Sequence, residues 1–168
     1  MNASQLAGLD LHSEFNKLGR RLFRDAANLQ FDFYARDIFD DNADWRPLEQ
    51  RFDIIHITSF LHIWNWNDQV RAAQRLVKLI RPKTGAFLVG SGLGSAVGKE
   101  GPNLDGTGTS YRQSEESFKR LWEEVGNLTE TKWDVKSRFE KLPADKRHGV
   151  QVQVDQDLGI LSFEVRLL

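Results

Sequence analysis

Residues 52–90 read FDIIHITSFLHIWNWNDQVRAAQRLVKLIRPKTGAFLVG, and the succession of patterns within them decides the fold class. Phe52 to Thr58 is apolar and β-branched, as a strand buried on both faces should be. A polar-aromatic corner follows, Thr58-Ser59-Phe60-Leu61-His62. From Asn67 to Ile80 the apolar residues Val70, Ala73, Leu76, Val77 and Ile80 share one helical stripe. Asn65 or Asn67 can cap that helix, Asp68 suits its first turn, and Arg81-Pro82 stops it. Pro82-Lys83-Thr84-Gly85 then turns the chain into a second buried strand, Ala86 to Val89. This is a βαβ unit. Its corner lies where open α/β sheets bind ligands, at the carboxyl ends of the strands.

Working outward, Leu6 to Leu11 reads as a short strand ending at the acidic Asp10. Phe15, Leu18, Leu22 and Phe23 give Ser13 to Phe23 a helical stripe, with Ser13 a candidate cap. Leu29 to Ile38 alternates apolar and polar residues, a strand period, and Asp40 to Pro47 is turn-rich. Beyond the βαβ unit, Gly90 to Gly108 is glycine-dense and predicts a long loop of the kind that carries function. Phe118, Leu121, Trp122 and Val125 mark a helix from Ser114 to Val125, ended by Gly126-Asn127. Its start, Ser114 to Ser117, is a capping box with a serine in place of Glu or Gln. Strands are expected over Lys132–Phe139, Val150–Val154 and Ile160–Leu167, with Asp157-Leu158-Gly159 turning into the last. Alternating βα followed by an antiparallel tail predicts a mostly parallel sheet with one reversed edge.

A length of 168 residues suits one domain with a real core, here spanning residues 1–168. The formal net charge of −1 provides no global attraction to nucleic acid or an anionic membrane. No cysteine is present, which excludes disulfides, thiolate catalysis and Cys-based zinc sites and is compatible with a cytoplasmic setting. The apolar runs are short of membrane-spanning length, and MNASQLAGLDL lacks the pattern of a secretory signal. His12, His56, His62 and His148 have no spacing that makes a metal site. Five tryptophans and eleven phenylalanines suit either an apolar pocket or aromatic core packing.

The order of segments resembles the class I S-adenosylmethionine-dependent methyltransferases. Leu9-Asp10-Leu11 is similar to the acidic end of that family's second strand, and Ala35-Arg36-Asp37-Ile38 to the segment after its third. Phe52-Asp53-Ile54-Ile55 through His62 resembles the fourth strand and its substrate-side corner. Leu79 to Gly85 resembles the turn before the fifth. The strings LDLHSEFNKLGRRLF, YARDIF, SFLHIWNW and SYRQSEESFKRLWEEVG look like a fungal subgroup that methylates meroterpenoid intermediates, often at a carboxylate. The resemblance implies a Rossmann-like methyltransferase sheet, mostly parallel, with an antiparallel C-terminal edge hairpin. It implies S-adenosylmethionine as cofactor and a small apolar metabolite as acceptor. The family's first strand and glycine-rich motif should precede Asp10 by roughly 20 residues, and only nine are there. The expected sheet therefore lacks its first strand, and the unpaired edges that result invite a homodimer. A catalytically inactive scaffold that binds a metabolite or a protein is the alternative reading.

The candidate site residues each carry two readings. Asp10 accepts from ribose hydroxyls, or is an acid favoured at a helix N-terminus. Asp37 accepts from an adenine amino group while Ile38 bonds and flanks the ring, or Asp37 is a plain turn acid. Thr58 and Ser59 border the cofactor in the resemblance, and Phe60 borders the acceptor. His62 acts as a base or orients a carboxylate, or is a histidine satisfied by backbone. Trp64 and Trp66 line an apolar pocket, or pack helix to sheet. Tyr111 and Arg112 close the glycine-dense segment, and Arg112 either grips a carboxylate or is solvated. His56 is expected to be structural.

Overall fold

The computed structural model describes residues 5–24, 31–103, 107–143 and 157–168. The chain divides into two units, Met1–Asp44 and Trp45–Leu168. In the first, strands β1 (Ala7–Asp10) and β2 (Asp32–Ala35) pair in parallel, with Asp10 opposite Ala35. Helix α1 (Ser13–Phe23) follows β1. Its N-cap is His12, not Ser13, because the His12 N–H donates to the Asp10 carboxylate at 2.8 Å and holds the residue extended. The stripe of Phe15, Leu18, Leu22 and Phe23 is exposed. The expected start of the second strand at Leu29 lies outside the described residues. That strand stops at Ala35, ahead of the turn in which Phe39 N–H donates to Asp37 at 2.9 Å.

The second unit runs β3 (Ile54–Thr58), a 3-10 turn (Leu61–Ile63), α2 (Trp66–Leu79), β4 (Phe87–Ser95), β5 (Lys99–Pro102), β6 (Thr109–Arg112), α3 (Glu115–Thr129), β7 (Trp133–Lys141) and β8 (Leu158–Leu167). One sheet has the order β3-β4-β8-β7. The β3–β4 pair is parallel and the other two pairs are antiparallel, so parallel βα units end in the expected antiparallel edge. Asn65 caps α2 by accepting from Asp68 N–H at 3.0 Å. Leu76, Leu79, Leu88, Leu121, Trp122 and Val165 are buried core residues of this unit.

Four further expectations are corrected. The segment from Gly90 to Gly108 is not a long loop: β4 continues to Ser95, and β5 pairs with β6 in a small antiparallel sheet. Strand structure survives the glycines because they alternate. A side chain at Gly90, Gly92 or Gly94 would meet Ile57 O, His62 Nδ1 or Gln113 O at 1.6, 3.0 and 2.7 Å respectively. Alternate residues of a strand share a face, so these three form a bare strip on which other segments rest. Secondly, β3 is an edge strand of its sheet, with Ile54 exposed and only Ile57 buried, rather than a strand covered on both faces. His56 on it is exposed and pairs with Thr58 Oγ1 at 3.1 Å.

Thirdly, α3 passes through Gly126-Asn127 and ends at Thr129, with Glu130 in the left-handed region at φ 55°. Gly126 serves close packing instead, since a Cβ there would stand 2.7 Å from Thr131 O. The Ser114–Ser117 capping box forms in full, a serine hydroxyl replacing the longer Glu or Gln. Fourthly, Leu158 and Gly159 belong to β8 and not to a turn. The expected strand over Val150–Val154 lies outside the described residues.

Candidate active site

The two acids of the first unit stand at comparable places. Asp10 ends β1 and Asp37 follows β2, each with Oδ1 accepting from the backbone N–H two residues on. Each such bond uses one carboxylate oxygen, and the other can accept further hydrogen bonds. That donor–acceptor chemistry fits the hydroxyl and amino groups of a nucleoside. Ile38 is buried and Phe39 half-buried beside Asp37.

In the second unit the corner after β3 is sharply bent. Ser59 holds φ 53°, a conformation uncommon for a residue with a Cβ, and its N–H donates to Ser91 O at 2.8 Å. Thr58 and Ser59 are exposed. Phe60 is half-buried and stacks edge-on against Trp64, centroids 4.8 Å apart. Trp64 O accepts from Tyr111 N–H at 2.8 Å, which brings the corner against β6. Tyr111 packs edge-on against Trp66 at 5.0 Å, and Trp66 Nε1–H donates to Glu124 at 2.9 Å. Trp66 thus packs between Tyr111 and helix α3. Arg112 is buried, not solvated: it is 5% exposed and donates to Pro102 O at 3.0 Å. Its guanidinium lies where a side chain on Gly101 would be. The structure therefore brings Thr58, Ser59, Phe60, His62, Trp64, Tyr111 and Arg112 together in one unit, while Asp10, Asp37 and Ile38 share the other.

His62 sits in the 3-10 turn with its Nδ1 buried and unpartnered, so a backbone bond does not satisfy that nitrogen. Burial first, and the neighbouring Arg112 charge second, hold its pKa below the ordinary histidine value. The sign of the linkage follows. Around the ordinary value of 6.5 the unfolded chain takes up a proton at this position more readily than the folded chain. The stability His62 contributes is thus present above that value and is lost as pH falls through it. Melting curves from about pH 7.5 to about pH 5.5 should show wild-type Tm falling more steeply than that of His62→Gln. Parallel slopes would contradict the buried neutral ring.

The chain is 38% identical over 137 residues to the O-methyltransferase phiE of a fungal species, covering 81% of this chain and 46% of that one. It is 35% identical over 141 residues to the O-methyltransferase atr3 of Stereocaulon alpinum, covering 83% and 41%. The chain belongs to the class I S-adenosylmethionine-dependent methyltransferases. The chain spans less than half the length of either relative. No protein-family profile matches it. Among solved structures, a Burkholderia thailandensis 1,6-didemethyltoxoflavin N1-methyltransferase holding S-adenosylhomocysteine superposes with TM-score 0.60 at 17% identity, covering 97% of this chain and 61% of that one. The cyclase SpnF superposes with TM-score 0.65 at 13% identity, covering 98% and 66%. Both share the fold.

Sequence reasoning missed the buried polar residues of the second unit. Gln69 is fully buried and donates to Trp64 O at 2.9 Å and Tyr111 O at 2.6 Å. Gln113 Nε2 donates to Gln69 Oε1 at 3.0 Å, and Ser117 Oγ donates to Gln113 Oε1 at 2.5 Å. The signal was present: Gln69 precedes Ala72, Ala73 and Leu76 at helical spacing, a polar residue on a buried stripe.

Proposed function

We propose that this chain binds S-adenosylmethionine and takes part in transferring its methyl group to a small apolar metabolite, at a carboxylate or hydroxyl oxygen. The observation that carries the reading is the 38% identity to a fungal O-methyltransferase over four-fifths of the chain. Asp10 and Asp37 would hold the nucleoside, with Ile38 against the ring and Thr58 and Ser59 bordering the cofactor. The bound cofactor supplies an activated methyl group. The chain's own residues then position and shield the acceptor: Phe60 and Trp64 as apolar wall, His62 and Arg112 as polar contacts, Tyr111 closing the side next to Arg112. Methyl transfer needs little covalent help, so alignment and exclusion of water account for much of the acceleration. The lack of a nucleophile–base pair among these residues fits that chemistry.

A catalytically inactive scaffold that binds a metabolite or a protein is the second reading; a cyclase of 13% identity shares the fold, so the fold alone does not set the reaction. Calorimetric titration of the folded chain with S-adenosylhomocysteine separates cofactor binding from none. Binding is expected, and Asp10→Ala should weaken it by about tenfold, the equivalent of about 1.4 kcal/mol. A flat titration of folded protein would remove the first reading. Binding unaffected by Asp10→Ala would remove the role given to that carboxylate.

A further inference from the structure

Beside the corner lies a small half-open space of ≈ 20 Å³, lined by His62, Gln69, Ser91, Gly92 and Gln113 on its polar side and by Phe118 and Leu161 among its apolar walls. A space of about 10–15 Å³ suffices for one water, which also needs two to four polar partners. It is far too small for an organic acceptor. The hydrogen-bond inventory around it is uneven. Both amide hydrogens of Gln69 are used, on Trp64 O and Tyr111 O. Gln113 spends one amide hydrogen on Gln69 Oε1 and accepts from Ser117. An amide nitrogen carries two hydrogens, so one donor of Gln113 is left over. On the same cavity, His62 Nδ1 is buried with no partner. Gly92 leaves the room: a Cβ there would stand 3.0 Å from Nδ1.

We propose that this cavity holds one ordered water, which takes the spare amide hydrogen of Gln113 and donates to His62 Nδ1, fixing the ring as its Nε2–H tautomer. Ser91 offers the water a third partner. The assignment satisfies both leftover groups, and a buried polar atom left unpaired is destabilising. The lowered pKa of His62 agrees, since Nδ1 can accept only from a neutral ring. Gln113 is then a positioning residue, acting on the site through the water and His62. The consequence for substrate rests on the function proposed above. A ring whose Nε2 carries the proton is a hydrogen-bond donor, matched to an acceptor that arrives as an anion. A carboxylate is already deprotonated near neutral pH and needs no base, whereas a hydroxyl does.

The test is nuclear magnetic resonance of the full chain with ¹⁵N-labelled histidine, without cofactor. With four histidines, His62 is assigned by its loss in His62→Gln. Long-range ¹H–¹⁵N correlations at about pH 8, above the ordinary histidine pKa, should show Nδ1 bare and Nε2 protonated. Cross-relaxation should reveal a long-lived water beside the ring. Gln113→Met and Gly92→Ala should each remove the water signal and shift His62 toward the tautomer mixture of exposed His12. Circular dichroism confirms that each variant is folded, and either folded variant suffices. An Nδ1-protonated ring, no long-lived water in the wild type, or a tautomer unchanged in the folded variants would overturn the proposal. None of these outcomes depends on methyl transfer or cofactor binding, so this inference and the proposed function fail separately.

Discussion

Gly90→Ala should unfold this protein or cost it about 3 kcal/mol or more, the upper range for overpacking a close-packed site. Gly90 pairs with Ile57 of β3 on one side and Phe163 of β8 on the other. A Cβ at this position would lie 1.6 Å from Ile57 O and 2.7 Å from Ile57 C. Those are main-chain atoms and cannot rotate away as a side chain would. Relief requires β3 to separate from β4, breaking the sole parallel ladder of the four-stranded sheet and displacing Thr58 to His62 with it. Total stabilities of about 5–15 kcal/mol leave little margin for such a loss. Gly19→Ala is the control. Gly19 lies in α1 with nothing within 4 Å of its would-be Cβ. Alanine there should stabilise by about 0.5–1 kcal/mol through helix propensity. Chemical denaturation of the two variants should give midpoint shifts of opposite sign. A Gly90→Ala protein as stable as wild type would mean that β3 and β4 do not pair as described.

That contrast also shows where the sequence is legible. The βαβ unit from Phe52 to Gly90 is readable because strand, helix and stop signals agree, and the structure places α2 and the start of β4 where those signals put them. Asn65 caps α2 through the bond its residue type predicts. The glycines of β4 are not readable in the same way. Composition marks Gly90 to Gly108 as loop, yet alternate glycines are what a strand needs when foreign backbone and a histidine ring rest on one of its faces. Propensity is local, and the atoms that make glycine necessary come from Ile57, His62 and Gln113. The site divides similarly. The aromatic and charged members of the corner are visible from residue type and position. The burial of Arg112 is not, because it depends on the β5–β6 pairing and on the bare backbone of Gly101.

Gln69→Met should cost about 3 kcal/mol, a large effect for a change of similar size and shape. The glutamine is fully buried, and its amide makes three hydrogen bonds: to Trp64 O, to Tyr111 O and from Gln113 Nε2. Trp64 O keeps the Tyr111 N–H as a second donor, so its loss is small. Tyr111 O and the Gln113 amide lose their Gln69 partner, at about 1–3 kcal/mol each for a buried group left unsatisfied. Gln113→Met carries its own penalty, since it strands Gln69 Oε1 and leaves the Ser117 hydroxyl only Ser114 O, at 3.3 Å, to donate to. The two penalties share one bond, so they should not add. In the double variant the Gln69–Gln113 contact is replaced by thioether against thioether, and neither amide is left facing an apolar partner. The double variant should then be more stable than the sum of the singles by about 1–2 kcal/mol, the range seen for residues in one network. Denaturant titrations of the four proteins measure this coupling. A coupling near zero would show that the two amides act independently and that the corner holding His62 and Trp64 is fixed by the main-chain bond from Tyr111 alone. A coupling of the expected size makes the amide pair the strut between α2, β6 and α3, and so the element that sets the distance between the corner and Tyr111.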